Sequence, residues 1–177
     1  MTPPARFEEA FTAVVALARE RYRIRVGIDV VAPPAKGDLD GAEIVIGHDN
    51  DAETRLFLIA HLFGHTVQWN TSVDDRRLGM KLPVNPDAAM LDRLEAYERQ
   101  ACAYSQTLLH EAGVRDLDGW LADYSSCDFA FLRHLYSSGE RRDFRRFWKE
   151  GTPRIEPLPI PPFTPVCHRR GRRPIVL

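Results

Sequence analysis

The 177-residue chain carries 24 lysines and arginines against 25 aspartates and glutamates, is 44% hydrophobic and 28% charged, and has a net charge of −1. This composition predicts one globular domain with a real core and argues against wholesale disorder. There is no global basic field to draw in nucleic acid or an anionic membrane, so neither is expected as a partner.

From Pro4 to about Tyr22, apolar residues Phe7, Ala10, Phe11, Val14, Val15, Leu17 and Ala18 recur at helical spacing and predict a packing helix. Ile24-Arg-Val-Gly-Ile-Asp-Val and Ala42-Glu-Ile-Val-Ile-Gly alternate as strands, separated by Pro33-Pro34 and Gly37-Asp38, and are expected to pair antiparallel. Asp51 or Asn50 is placed to cap a helix running from Ala52 to about Trp69. The segment from Asn70 to Pro86 reads as an irregular connection of the length often used as a lid. Asp87 or Asn85 then starts the longest helical pattern, which ends before Gly113. Two or three shorter helices, drawn from Asp116 to Tyr124, Asp128 to Tyr136 and Arg141 to Trp148, are expected beyond it. From Gly151 the repeated prolines enforce an extended chain that leads to a basic end at His168-Arg-Arg-Gly-Arg-Arg. The expected organisation is a domain over residues 1–150 and a Pro-rich, basic tail over 151–177.

The stretch that carries chemistry is His61-Leu62-Phe63-Gly64-His65. Histidines four apart on a helix stand one turn above each other, so both imidazoles can reach one divalent ion. The zincin pattern H-E-x-x-H puts a glutamate after the first histidine, where it deprotonates the metal's water. Here that residue is Leu62. A third ligand has to come from elsewhere, and the long helix offers Glu95 and Glu98 three residues apart on nearly one face.

The run Glu98-Arg-Gln-Ala101-Cys102-Ala-Tyr104 through Leu108-Leu109, with the strand Glu43-Ile-Val-Ile-Gly before Glu53-Thr-Arg55 and the histidine helix, resembles the ImmA/IrrE family of metallopeptidases over about Ala5 to Gly113. The resemblance implies an α+β, zincin-like fold with a small sheet, a histidine helix, a glutamate helix and a helical extension. It implies metal ligands at His61, His65 and Glu98, with Glu95 as the alternative third ligand or an outer partner. Where such relatives carry Asn or Asp four residues after the glutamate, this chain has Cys102. Relatives often carry a DNA-binding domain or cleave a repressor, and no helix-turn-helix is evident in this sequence.

Leucine cannot move a proton, and positioned acid–base catalysis is worth roughly 10²–10⁴-fold, so ordinary peptidase activity is not expected without a substitute. Glu95, Tyr97 or an acid between Ser72 and Pro86 are the candidate substitutes. Three readings follow. The chain is a metal-binding pseudo-peptidase that binds a peptide or protein partner; or a repurposed metalloenzyme with a 2-His-1-carboxylate Fe(II) site acting on a small molecule; or a zinc hydrolase with a relocated base. One divalent metal is expected, zinc first and Fe(II) as the alternative.

Elsewhere the sequence favours structural explanations. Cys102, Cys127 and Cys167 are odd in number and lack a C-x-x-C pair, which predicts reduced thiols. The amino-terminal residues lack a signal-peptide pattern and no apolar run approaches a membrane span, so a cytoplasmic location is expected. Cys167-His168 reads as solvated tail, and His110 as a cap near a helix end. Asp128 with His134, and His48, read as surface residues. In Arg141-Arg-Asp-Phe-Arg-Arg-Phe-Trp the aromatics are expected to pack inward with the arginines in solvent. The Pro159-Ile-Pro-Pro162 strip reads as a strap across the domain rather than a recognition motif.

Overall fold

The computed structural model describes residues 2–81 and 86–169; the basic end beyond Arg169 and the alternative cap at Asn85 lie outside the described residues. The architecture is α+β: five helices around a three-stranded sheet. Helix α1 (Pro4–Glu20) starts with proline in its first turn and buries Phe7, Ala10, Val14 and Ala18, the i, i+3, i+4 face read from the sequence.

Strands β1 (Arg25–Asp29), β2 (Gly37–Leu39) and β3 (Glu43–Gly47) form a sheet in the order β1-β3-β2. The antiparallel pairing expected for β1 and β3 is corrected here: they run parallel, Arg25 opposite Glu43 through Asp29 opposite Gly47. The antiparallel partner of β3 is β2, part of what the sequence presented as a loop. A tight turn explains it. Asp40 Oδ1 accepts from the backbone N–H groups of Ala42 and Glu43 at 2.7 Å each, and Gly41 takes φ +100°, so the chain reverses between β2 and β3.

Helix α2 (Ala52–Thr71) is capped by Asp51, whose Oδ1 accepts from the Thr54 N–H at 2.8 Å. It is buried on every side from Leu56 to Trp69, the pattern of a central helix. The expected irregular connection after it is instead helix α3 (Val73–Met80), started by Ser72 Oγ accepting from the Asp75 N–H and facing the core only through Leu78. One buried side chain leaves no periodicity to read. Helix α4 (Ala88–Glu111) begins at an Asp87 cap and ends before Gly113 at φ +78°.

The two helices expected over Asp116–Tyr124 and Asp128–Tyr136 are one, α5 (Asp118–Ser138), closed by Gly139 at φ +68°. Ser125 and Ser126 do not break it, because serine is only a mediocre helix former and packing on α4 overrides propensity. The expected helix at Arg141–Trp148 shrinks to a 3-10 turn at Phe144–Phe147, whose first residue Phe144 and the following Trp148 do pack on the core. Residues 151–169 run extended over the body. The Leu158 N–H donates to the Ala103 carbonyl, Thr107 Oγ1 donates to the Leu158 carbonyl at 2.7 Å, and Ile155, Leu158, Ile160 and Phe163 cover core residues. Asn70 on α2 fastens the far end: its amide donates to the Gly41 carbonyl and its oxygen accepts from the Val166 N–H. No helix among the described residues is long and apolar enough to cross a membrane.

Candidate metal centre

Helices α2 and α4 approach closely at Gly64. A Cβ built there would stand 2.1 Å from the Ala101 carbonyl oxygen. Ser105 reinforces the contact by donating to the Ala60 carbonyl across the gap at 2.8 Å. One turn before Ala101 on α4 is Glu98, and beside Gly64 on α2 is His65, so this contact sets the carboxylate against the imidazoles.

His61, His65 and Glu98 are brought together and are 0%, 3% and 6% exposed. The Nε2 atoms of His61 and His65 are 3.0 Å apart, and Glu98 Oε2 is 3.1 Å from each. Ligand atoms that each lie ~2.0–2.2 Å from one ion are separated by roughly 3.0–3.5 Å, so the spacing fits a shared metal. Burial alone would raise the Glu98 pKa; attraction to His65 and hydrogen bonds from both imidazoles outweigh it and hold the carboxyl well below its ordinary range.

The tautomer of His65 is settled by Gln68, three residues on. Gln68 Nε2 donates to the Tyr97 carbonyl and to Gln100 Oε1, both at 2.8 Å, which uses both of its N–H bonds. Its Oε1 therefore faces His65 and accepts from Nδ1–H at 2.8 Å. His65 Nε2 is thereby the nitrogen turned toward the cluster. The outer nitrogen of His61 meets a weaker partner, Cys102 Sγ at 3.5 Å. Burial pushes the Cys102 thiol pKa far up, so it stays protonated and a poor acceptor. The Cys102 position thus orients a histidine, with sulfur where oxygen would be stronger. Phe57 stacks on His61 and Tyr97 on His65, at 5.1 and 4.6 Å between ring centroids.

The candidate substitute bases are engaged elsewhere. Glu95 pairs with Arg99 at 2.7 Å and Arg133 at 3.1 Å and is not part of the cluster. The Tyr97 hydroxyl accepts from Trp69 Nε1 at 3.0 Å, and burial raises its pKa well beyond neutrality. Of the acids between Ser72 and Pro86, Asp74 pairs with Arg77 and lies with Asp75 in the first turn of α3. Leu62 is fully buried and meets Gly37 of β2: a Cβ at Gly37 would come within 2.8 Å of its Cδ1. His110 pairs with Asp118 at 2.9 Å, a tie between α4 and α5 rather than a cap. His168 is half-buried, with Nε2 3.3 Å from Asn70 Oδ1 and its N–H on the Asp40 carbonyl, so only Cys167 of that pair is solvated.

One expectation is overturned in a way that bears on function. Asp128, read as a surface residue, is 3% exposed and lies on the inner face of α5. Its Oδ2 has no hydrogen-bond partner among the described residues. Desolvation, reinforced by the charge of Glu98 and partly offset by His61, raises its pKa to about 7. It lines a cleft of about 280 Å³ walled by Phe57, Tyr124, Phe131 and Phe144, so the cleft reaches the side chains that adjoin His61. The stripe Leu121, Tyr124, Asp128, Phe131, Leu132 contains the signal for Asp128, but dividing the helix at Ser125-Ser126 hides it. Gln68 was readable from its i, i+3 spacing to His65.

The cluster is a buried His-His-carboxylate group that could hold a divalent metal. Comparison of the chain with family models, curated proteins and solved structures finds no match.

Proposed function

We propose that the chain is a metal-binding protein built on a metallopeptidase-like, zincin-like scaffold, with His61, His65 and Glu98 as ligands of one divalent ion. The observation that carries this reading is the convergence of three atoms able to ligate a metal at 3.0–3.1 Å in a buried site, with the His65 ring oriented by Gln68. Without an ion, imidazole protons bridge to Glu98, and a divalent cation at the point where the three atoms converge takes their place. The ImmA/IrrE resemblance over about Ala5 to Gly113 supports the same ligands. A bound divalent ion supplies Lewis acidity and makes water a nucleophile near neutral pH.

What the chain's own residues do departs from a peptidase. Leu62 keeps water and protons away from the sheet side of the site, since it is fully buried against β2. Phe57 and Tyr97 hold the imidazole planes. A buried carboxylate outside the ligand set that lines a cleft is Asp128, on α5. We therefore read the protein as a scaffold of this type put to another use, in which acid–base work has left the position after the first histidine. A second reading, a non-haem Fe(II) enzyme, is favoured by the two-histidine, one-carboxylate set beside an aromatic cleft.

Elemental analysis tests the proposal. Protein purified without added metal, in air and anaerobically, is expected to hold close to one equivalent of zinc or iron, and His61→Ala to hold none. Stoichiometric metal in His61→Ala overturns the ligand assignment. Zinc in both preparations excludes the iron reading.

A further inference from the structure

The cleft beside the cluster has an internal polarity. Its inner end is Asp128, buried to 3% exposure, with an oxygen that no described residue satisfies. Its walls are the aromatic rings of Phe57, Tyr124, Phe131 and Phe144, two of which, Phe57 and Tyr124, stack at 4.0 Å. Its rim carries the exposed side chains of Lys36 and Arg141. Arg141 is steadied by a bond from Nη2 to the Pro34 carbonyl at 3.3 Å and by the face of Phe131, which leaves its remaining N–H groups to the rim.

A buried carboxylate without a donor is costly unless a ligand supplies one, and a positively charged donor supplies most. Aromatic walls add to that preference, because ring faces attract cations. At the rim the sign reverses: guanidinium and ammonium groups favour a carboxylate or another anion. A volume of about 280 Å³ suits a ligand of about a dozen heavy atoms or the end of a short peptide.

We infer that this cleft binds a primary amine on an apolar or aromatic body, the ammonium group donating to Asp128 Oδ2 and an anionic group at the other end meeting Arg141 and Lys36. This deepens the proposed function by naming the substrate class, an amine-terminated small acid or short peptide, and it rests on that reading only for calling the ligand a substrate. Binding of the amine itself requires no ion.

Calorimetric titration at pH 8 with 4-(aminomethyl)benzoate, 4-methylbenzoate and benzylamine tests it, on the protein as purified and on His61→Ala. The aminomethyl acid is expected to bind roughly 10–100-fold tighter than its methyl counterpart, the worth of a charge-assisted hydrogen bond. Asp128→Asn, close in shape, is expected to erase that preference. Arg141→Ala, which leaves Lys36 at the rim, is expected to lower the affinity for 4-(aminomethyl)benzoate toward that for benzylamine and to leave benzylamine binding unchanged. Equal affinity for the amine and the methyl compound in the unmodified protein overturns the inference and assigns the orphan oxygen to water alone. So does an amine preference that survives in Asp128→Asn. If that variant does not fold, the comparison in the unmodified protein decides. An amine preference in protein that holds no metal leaves this inference standing while the metal proposal fails.

Discussion

Gly64 lies so close to Ala101 that no side chain fits between them, a Cβ at Gly64 falling 2.1 Å from the Ala101 carbonyl oxygen. At this point the two helices that carry the candidate ligands meet backbone to backbone, and side-chain contacts such as Gln68–Gln100 and Trp69–Tyr97 flank it. Because Glu98 is one turn from Ala101 and His65 adjoins Gly64, the separation of the helices and the geometry of the cluster are one variable.

Gly64→Ala is expected to force α4 away from α2. Overpacking of this kind costs ~1–3 kcal/mol, and contact with backbone rather than a movable side chain puts it at the upper end. Chemical denaturation measures the loss. Metal stoichiometry in the folded fraction is expected to fall with it, and unchanged metal content would show that the cluster tolerates a wider helix separation.

Gln68 fixes the proton of His65 on Nδ1 through one strong bond, whereas Cys102 offers His61 only sulfur. Removing such an outer partner typically weakens metal binding 10–100-fold. Gln68→Ala is expected to lose roughly that much in competition with a chromophoric chelator. Cys102→Ala should lose less, because a thiol is a weak acceptor. A larger loss at Cys102 than at Gln68 would contradict the assigned tautomers.

Asp128 makes the metal-free protein sensitive to pH. Its folded pKa is raised to about 7, chiefly by burial, while in the unfolded chain it titrates near ~3.9. Between those values the folded state keeps a proton that the unfolded state has released. The contribution of this group to stability therefore falls as pH rises from about 4 to about 7. Asp128→Asn removes the slope, so urea midpoints of variant and parent are expected to coincide near pH 4 and the variant to be the more stable at pH 8. A parent more stable than the variant at pH 8 would mean that a donor satisfies the carboxylate.

Leu62→Glu restores the residue order H-E-x-x-H but not the space for it. Leu62 is fully buried in the main core cluster and packs on Gly37. Losing its burial and inserting a carboxyl among apolar groups is expected to cost about 3 kcal/mol. Thermal unfolding measures it. A stable Leu62→Glu variant that hydrolyses peptides, where the parent does not, would show that only the missing glutamate separates this chain from a peptidase.

Local patterns in the sequence were enough for the parts of the fold with strong amphipathic or capping signals. The buried face of α1, the Asp51 cap before the histidine helix, the Asp87 cap and Gly113 stop of α4, and the i, i+4 spacing of His61 and His65 depend on residues within a few positions of each other. The pairing of β1 with β3 depended instead on a reversal at Asp40 and Gly41 within an apparent loop. Helix α3 buries one side chain, and α5 runs through two serines because its neighbours, not its propensity, hold it together.

The candidate site divides in the same way. The sequence by itself determined the histidine pair, the absence of a glutamate after the first, and two candidate carboxylates on α4, since each is a matter of residue type and spacing along one helix. Only the tertiary structure decided that Glu98 meets the imidazoles while Glu95 turns to Arg99 and Arg133. It also decided that Asp128, 63 positions beyond His65, belongs beside them. The physical reason is that burial and unmet hydrogen bonds are properties of packed neighbours. A carboxylate that would be solvated on an isolated helix becomes a buried acceptor only when α5 closes over α2 and α4.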